Sequence, residues 1–403
     1  MFGFTLAFFS SFGQTFFVGL FGGELRAAFA MSEGVFGSLY SLATLVSGCF
    51  VVWLGHLIDR VDLRLYATLV GLGLVAACLS IAAATTIVGL GVSIFALRLS
   101  GQGLLSHTAM TSMARYYERS RGMAISIAGL GFPAGEAVLP FAAVTLMQAS
   151  GWRTTWQLIA LIVGVTIVPL TLILLRGHGR RHATHVAAVD ATLDPAAAAA
   201  PVRRQWTRRE VLRDGRFYGL LPAALAPGFI VTGIFLHQPT LVAEKGWTPA
   251  WFAACFVGFA ASQLPASLLA GGTIDRFGAR RLVPLYLVPL IASLLVLAGW
   301  RHPAAALFFL VLAGITSGVG GPILGALWAE LYGVRHLGSI RALVSALMVF
   351  ATAGSPAIMG WLIDAEIGMA VLSAACAAGA AAAAVTARLA LGQRAGSAAS
   401  PDS

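Results

Sequence analysis

Charge is what this chain has least of. Charged residues make up 10% of its 403 positions, against about a quarter in an ordinary soluble domain, so a water-facing surface cannot be covered in the usual way. Cysteine is scarce as well. Cys49, Cys78, Cys255 and Cys376 all fall inside apolar runs with no C-x-x-C spacing, which argues against disulfides or a thiolate metal site and for buried free thiols. The glycine runs Gly71-Leu72-Gly73 and Gly318-Val319-Gly320-Gly321-Pro322 lack a following lysine–threonine and a strand before them, so nucleotide binding is unsupported. No Ser/His/Asp or Cys/His arrangement occurs, and no carboxylate pair is offered to a soluble cleft. Neither an enzyme nor a cofactor is expected. A basic stretch ahead of the first apolar run and a small-residue cleavage site are both missing, so Met1 onward reads as membrane helix rather than signal peptide.

What is present is apolar length. Hydrophobic residues make up 58% of the chain and the mean hydropathy is +0.86. Runs of roughly 20 residues each match the thickness of a bilayer. Read against glycine, proline and charge, they give twelve helices near 3–29, 34–57, 65–85, 87–114, 122–148, 152–175, 216–243, 249–273, 282–300, 303–332, 339–363 and 367–391. Ser32 and Thr248-Pro249 supply helix-start caps. The expected division is a first six-helix bundle over 1–175, a linker over 176–214, a second bundle over 215–392 and a tail over 393–403.

Arginine sets the expected orientation. All but a handful of the 26 Lys and Arg residues fall on one side of these spans; Arg26, Arg153, Lys245 and Arg301 fall on the other, and Arg98 lies within a span. The positive-inside rule then puts both termini and the linker in the cytoplasm, here of a bacterial inner (plasma) membrane. Trp152, Trp156, Trp247, Trp251, Trp300 and Trp361 cluster near the opposite ends, as an interfacial belt does. The net charge of +10 is therefore an orientation signal and not a sign of nucleic-acid binding. The basic end of the linker, Arg203 to Arg213, is either part of that signal or a contact with anionic membrane lipids.

Two loop signatures recur at one offset of 216 positions. Gly55-x-x-Ile58-Asp59-Arg60-x-x-x-Arg64 returns as Gly271-x-x-Ile274-Asp275-Arg276-x-x-x-Arg280, and Tyr116-x-x-Arg119-x-x-Gly122 returns as Tyr332-x-x-Arg335-x-x-Gly338. Such a duplication is how many secondary transporters build a central site between two gates. The Gly-x-x-x-Asp-Arg-x-x-x-Arg copies after the second and eighth helices resemble the loop signature of the major facilitator superfamily. The stretch Tyr116 to Ala124, followed by Gly129, Gly131 and Gly135, is similar to the monocarboxylate and oxalate–formate exchanger branch, which moves small organic anions. The resemblance implies an all-α polytopic fold of two pseudo-symmetric six-helix bundles. It also implies a cytoplasmic gate at Asp59, Arg60, Arg64, Arg119, Asp275, Arg276, Arg280 and Arg335. Exposed ion pairs contribute only about 0–1 kcal/mol each, which suits a latch between states of similar energy.

Two ionisable groups lie deep in the spans, where an isolated charge costs at least ~2.5–3.5 kcal/mol. Counted at ~1.5 Å per residue, Arg98 and Glu136 sit about 25 Å and about 22 Å from the cytoplasmic edge, so an ion pair is expected. It acts either as a structural brace or as a coupling device, in which protonation of Glu136 frees Arg98 to hold a carboxylate. Gln14, Gln102, His107, His237, Gln238 and Gln263 are further candidates for substrate binding or proton coupling, each alternatively a satisfied packing group. The expected function is secondary active transport of a small organic solute, a monocarboxylate-like anion foremost, by alternating access and with protons as the coupling ion. Rival expectations are an exporter of apolar or cationic compounds, with a cavity of Phe12, Phe16, Phe17, Phe229 and Phe235, and a ligand sensor that does not transport.

Overall fold

The computed structural model describes residues 1–116, 121–175 and 205–392, apart from the side chains of residues 59, 60, 121 and 122. It is nearly all helix. The first traverse is not one rod. It is built from α1 (Phe2–Phe9), a 3₁₀ turn (Ser10–Gly13), α2 (Thr15–Leu20) and α3 (Gly22–Phe29), with Gln14 extended between them. Next come α4 (Glu33–Gly55), the short α5 (Leu57–Arg60) and α6 (Leu63–Ala83). The fourth traverse joins α7 (Ile87–Leu97), a π-helical segment (Arg98–Leu105) and α8 (Ser106–Tyr116). The fifth and sixth are α9 (Arg121–Gly129) and α10 (Gly131–Leu174). Gly151, at φ 80 and ψ 161, breaks α10 into two spans where the chain turns back.

The second half repeats the plan after the short α11 (Arg208–Val211). It contains α12 (Gly215–Leu236), α13 (Gln238–Lys245), α14 (Pro249–Phe277), α15 (Ala279–Leu282) and α16 (Val288–Gly299). It closes with α17 (Ala304–Tyr332), α18 (Leu337–Asp364) and α19 (Met369–Gly392). Among the described residues nine helices are long and apolar enough to cross a membrane, one of them being the pair of spans joined at Gly151; Phe2–Gly13 and Val288–Gly299 are shorter apolar segments. The twelve expected traverses are therefore present. The first and seventh, expected as single helices, break at Gln14 and His237 instead.

Side-chain caps start several of these helices. Ser32 Oγ accepts from the Val35 N–H at the head of α4, and Thr248 Oγ1 from the Trp251 N–H at the head of α14. Packing between spans relies on small residues, because lipid removes the hydrophobic drive between helices and leaves close van der Waals contact to hold them. The break in the first traverse shows this best. A β-carbon on Gly13 would collide with the Leu97 carbonyl oxygen, and one on Gly101 would lie 2.8 Å from Gly13 Cα. The 3₁₀ turn thus rests directly on the widened π segment, a distortion often found at functional sites.

The halves meet chiefly along two crossings, α4 with α18 and α10 with α14. The core between them is aromatic: Phe16 and Phe235 both pack on Phe256, while Phe17 and Phe21 pack on Trp156. Trp156 is fully buried, so it belongs to this core and not to the expected belt; Trp251, Trp300 and Trp361 are exposed as a belt requires. Cys49 is likewise exposed rather than buried, because it sits on the outer face of α4.

Overpacking a tight site costs about 1–3 kcal/mol. Gly13→Ala is therefore expected to lower the thermal stability of the detergent-purified protein measurably. Gly129→Ala, whose added carbon meets nothing within 4 Å, should leave it unchanged or slightly raised.

Candidate functional site

The two ends of the bundle differ. One end carries Arg64, Arg115, Arg276, Arg280 and Arg335; the other carries few arginines and begins α4 at Glu33. Among the described residues, the hydrogen bonds that join the two halves all lie at this arginine-poor end. Asp364 of α18 accepts from the backbone N–H groups of Glu33 and Gly34 at 3.0 and 2.9 Å. The Trp361 indole donates to Ser38 Oγ at 3.0 Å, and the Ala357 N–H donates to Ser41 Oγ at 3.2 Å. Gly37 lies so close to the Pro356 carbonyl that a β-carbon there would overlap it. Gln238 Nε2 donates to the Phe16 carbonyl at 2.8 Å, tying the break in the seventh traverse to the first.

Below this seal α4 and α18 part. A cavity of about 520 Å³ opens between them, lined by Thr44, Ser47 and Val51 of α4, Arg98 and Gln102 of the π segment, and Ser345 and Thr352 of α18 among others. The lining holds hydroxyls, one amide, one guanidinium and no aromatic ring.

Arg98 is the chemical centre of this cavity, and it is 5% exposed. One Nη donates to the Gly13 carbonyl at 3.2 Å and to Thr15 Oγ1 at 3.3 Å. The carbonyl and hydroxyl are offered by the break in the first traverse. The Tyr40 ring lies 5.0 Å from the guanidinium carbon, and the Tyr40 hydroxyl donates to Thr15 Oγ1 at 2.8 Å. A cation over a ring in a dry site gains about 2 kcal/mol, and these neutral contacts hold the side chain in place. None of them neutralises it. Among the described residues Arg98 has no carboxylate partner, and its Nε is buried without a hydrogen bond.

The expected Arg98–Glu136 ion pair is therefore not formed. Glu136 is half-buried on α10 with Oε2 sealed and unpartnered. Equal depth on neighbouring helices did not bring the two together, because the π segment and the broken first traverse rotate Arg98 toward Gly13, Thr15 and Tyr40.

The other candidates separate by place. Gln102 lines the cavity with Oε1 unpartnered. Gln14 sits in the break between α1's turn and α2. His107 is near the arginine-rich end beside Gly55, 3.5 Å from Thr111 Oγ1. Gln263 is half-buried on α14, its Oε1 unpartnered. Gln238 also borders a smaller cavity of about 290 Å³ on the arginine-poor side. His237 lies inside the seal, 2.7 Å from Glu33 Oε2 and 2.9 Å from the Pro356 carbonyl. The phenylalanines expected to form an aromatic cavity do not line this one; Phe12, Phe16, Phe17 and Phe235 are packed in the core.

At the arginine-rich end, Asp59 and Arg60 side chains and the whole of Arg119 lie outside the described residues. Asp275 is exposed and has no hydrogen bond or ion pair among the described residues. Arg276 lies over the Phe277 ring at 5.2 Å. Arg64 and Arg335 are exposed, their N–H groups donating to Asp62 and Gln205. The N–H groups of Ala279 and Arg280 donate to the Glu330 carboxylate at 2.8 and 3.3 Å, so Glu330 caps α15 as a loop partner.

Sequence reasoning missed Glu33, Arg26, Thr240 and Asp364, which build that seal, and Thr15 and Tyr40, which hold Arg98. One signal was available. Arg26 and Glu33 are opposite charges flanking the turn between the first two traverses, and Asp364 ends the helix that faces them.

The comparisons agree with this architecture. The family model described as Major Facilitator Superfamily matches residues 3–262 and 244–402. A multidrug resistance protein B homolog of Mycobacterium tuberculosis, strain ATCC 25618 / H37Rv, is 31% identical over 135 residues, 34% of this chain and 25% of that relative; the same protein of strain CDC 1551 / Oshkosh matches equally. Only a quarter of these relatives' length is thus spanned. Among solved structures, a bacterial homolog of the human lysosomal transporter Spinster, inward-facing and occupied, aligns with TM-score 0.63 at 16% identity, over 96% of this chain and 91% of that one. The nucleoside transporter NupG aligns with TM-score 0.68 at 12% identity, over 98% and 99%.

Gly37→Val is expected to force α4 and α18 apart at the seal. In a chain with Cys49→Ala, the buried Ser41→Cys should then react several-fold faster with a membrane-impermeant maleimide than it does with Gly37 intact. Equal rates would show that this crossing is not what closes the mouth.

Proposed function

This chain belongs to the major facilitator superfamily of membrane transporters, and we propose that it moves a small organic anion by alternating access through the Arg98 cavity. The protein is an integral membrane transporter; the anion, the direction of travel and the cytoplasmic placement of the arginine-rich end are parts of the proposal. The observation that carries it is Arg98 itself: a buried cation at the wall of a cavity between the halves, with neutral partners only and an unused Nε–H. A carboxylate entering the cavity would supply the missing charge and accept from the guanidinium fork. Ser47, Thr44, Ser345, Thr352 and the unpartnered amide of Gln102 offer hydroxyl and amide contacts to a small polar body.

Alternation follows from the unequal ends. In the state described here, solute reaches Arg98 from the arginine-rich side, where α4 and α18 diverge. Rocking the halves would close the arginine-rich end, where the Asp275 latch is expected, and part the crossing at Gly37 and Pro356. Solute would then leave, or enter, on the other side. Because Arg98, Thr15 and Tyr40 all belong to the first half, the guanidinium and its cradle travel with that half, while Ser345 and Thr352 move with the other.

A second reading is export of apolar or cationic compounds. The likeness to a multidrug resistance homolog favours it, as does a separate cavity of about 520 Å³ lined mainly by apolar residues of α14, α17 and the turn before α16, such as Leu269, Leu285, Ile315 and Ile323.

Counterflow of labelled small monocarboxylates into proteoliposomes decides between them. Charged hydrogen bonds contribute about 1.5–3 kcal/mol, so Arg98→Gln should weaken carboxylate affinity by about ten- to a hundredfold, with Arg98→Lys intermediate. Carboxylate counterflow untouched by Arg98→Gln, or counterflow seen only with amphipathic cations, would overturn the anion assignment.

A further inference from the structure

The seal at the arginine-poor end sets a buried histidine between a carboxylate and a carbonyl. His237 is fully buried at the break between α12 and α13, and both ring nitrogens are engaged. Nε2 lies 2.9 Å from the Pro356 carbonyl oxygen of α18. A peptide carbonyl can only accept, so Nε2 carries a hydrogen. Nδ1 lies 2.7 Å from Glu33 Oε2 of α4. A bare Nδ1 lone pair against an ionised carboxylate oxygen at that distance would be repulsive. Either Nδ1 carries a second hydrogen and donates to the carboxylate, or Glu33 is protonated and donates to Nδ1. Both forms contain one proton more than a neutral histidine beside an ionised glutamate, and the total belongs to the pair whichever atom bears it.

The surroundings favour imidazolium with carboxylate. Glu33 Oε1 accepts from Arg26 Nη2 at 2.8 Å and from the Thr240 hydroxyl, while Arg26 Nη2 also donates to Thr240 Oγ1 at 3.2 Å. Asp364 closes the group from α18 through the Glu33 and Gly34 N–H bonds. With the proton, Arg26 and His237 face Glu33 and Asp364, two charges of each sign. Without it the partly exposed Arg26 is the one cation beside the buried Glu33 carboxylate and the exposed Asp364, and charge imbalance at a buried carboxylate is costly. The remaining charged groups of the elements packed here are turned to other partners. Glu244 of α13 accepts from the Met369 and Ala370 N–H groups, Lys245 donates to the Trp300 carbonyl, Glu24 of α3 borders the smaller cavity, and Glu366 is exposed beyond α18.

We propose that the His237–Glu33 pair is the proton-binding site of this transporter, occupied when the arginine-poor mouth is closed and emptied to water when it opens. The reason is topological. Glu33 comes from the first half, while His237, Thr240 and Pro356 come from the second, so the pair exists only while the halves touch at this end. Once they part, water solvates the imidazole and the carboxylate separately and the shared proton leaves as hydronium. By linkage, the conformation that binds the proton more tightly gains population as protons become more abundant. Acid closes this mouth and alkali opens it. The inference builds on the alternating-access reading above and gives it a coupling ion located apart from Arg98.

The test is a distance measurement across the mouth. Spin labels at Ala28→Cys and Ala365→Cys, both exposed positions on opposite halves, are read by double electron–electron resonance in liposomes at steps between about pH 5 and about pH 8, the range in which histidine changes charge. The short-distance population should dominate in acid, and the open-to-closed ratio should rise with pH by up to about tenfold per unit, the limit for one linked proton. His237→Gln and Glu33→Gln should each flatten this response. A wild-type distance distribution that does not move with pH overturns the proposal, as does a full response in both variants. If neither variant inserts, the wild-type titration decides alone. Carboxylate counterflow without a pH-dependent mouth would refute the proton site and leave transport standing; a pH-dependent mouth without counterflow would do the reverse.

Discussion

Inside a bilayer every charge and every backbone polar group must find its partner within the protein, and the whole molecule is organised by that constraint. Helices satisfy their own backbone, which is why nothing else spans. Where a traverse breaks, the freed groups need new partners, and both breaks facing the interface between halves bring a buried polar side chain into play. The Gly13 carbonyl, released by the 3₁₀ turn, takes Arg98. The end of α12 delivers His237 to Glu33 and Pro356. The breaks are thus the places where the scaffold gives up internal hydrogen bonds to make a site.

The contrast between the two polar centres is instructive. The seal is densely partnered: Arg26 and Glu33 of the first half meet His237, Thr240 and Asp364 of the second. Arg98 is incomplete, held by a carbonyl, a hydroxyl and a ring that orient it without neutralising it. A complete cluster binds the halves to each other, whereas an incomplete one is free to bind something from outside. Asp275 at the far end is a third case, an exposed charge whose pairing changes stability little.

Much of the plan is legible in the sequence. Apolar run lengths mark the spans, the repeated Gly-x-x-x-Asp-Arg-x-x-x-Arg marks the two halves, and Ser32 and Thr248 mark matching helix starts. What depth counting cannot supply is direction around the helix axis. Arg98 and Glu136 share a level yet point to different neighbours, because a π segment shifts the register of one helix and a broken traverse offers it better acceptors. Trp156 was misplaced for a similar reason, since its position near a span end says nothing about Phe17 and Phe21 enclosing it.

Composition, spacing and repetition by themselves determined that this chain is a duplicated bundle of membrane helices, because hydrophobic length and arginine placement act locally and one residue at a time. Tertiary structure alone decided which charges meet. Glu33 finds His237 and Asp364 only when the two halves close, across more than two hundred positions of chain, and Arg98 is left without a counter-ion only because Glu136 turns elsewhere. Pairing of that kind depends on where several helices cross, and no single stretch of sequence contains it.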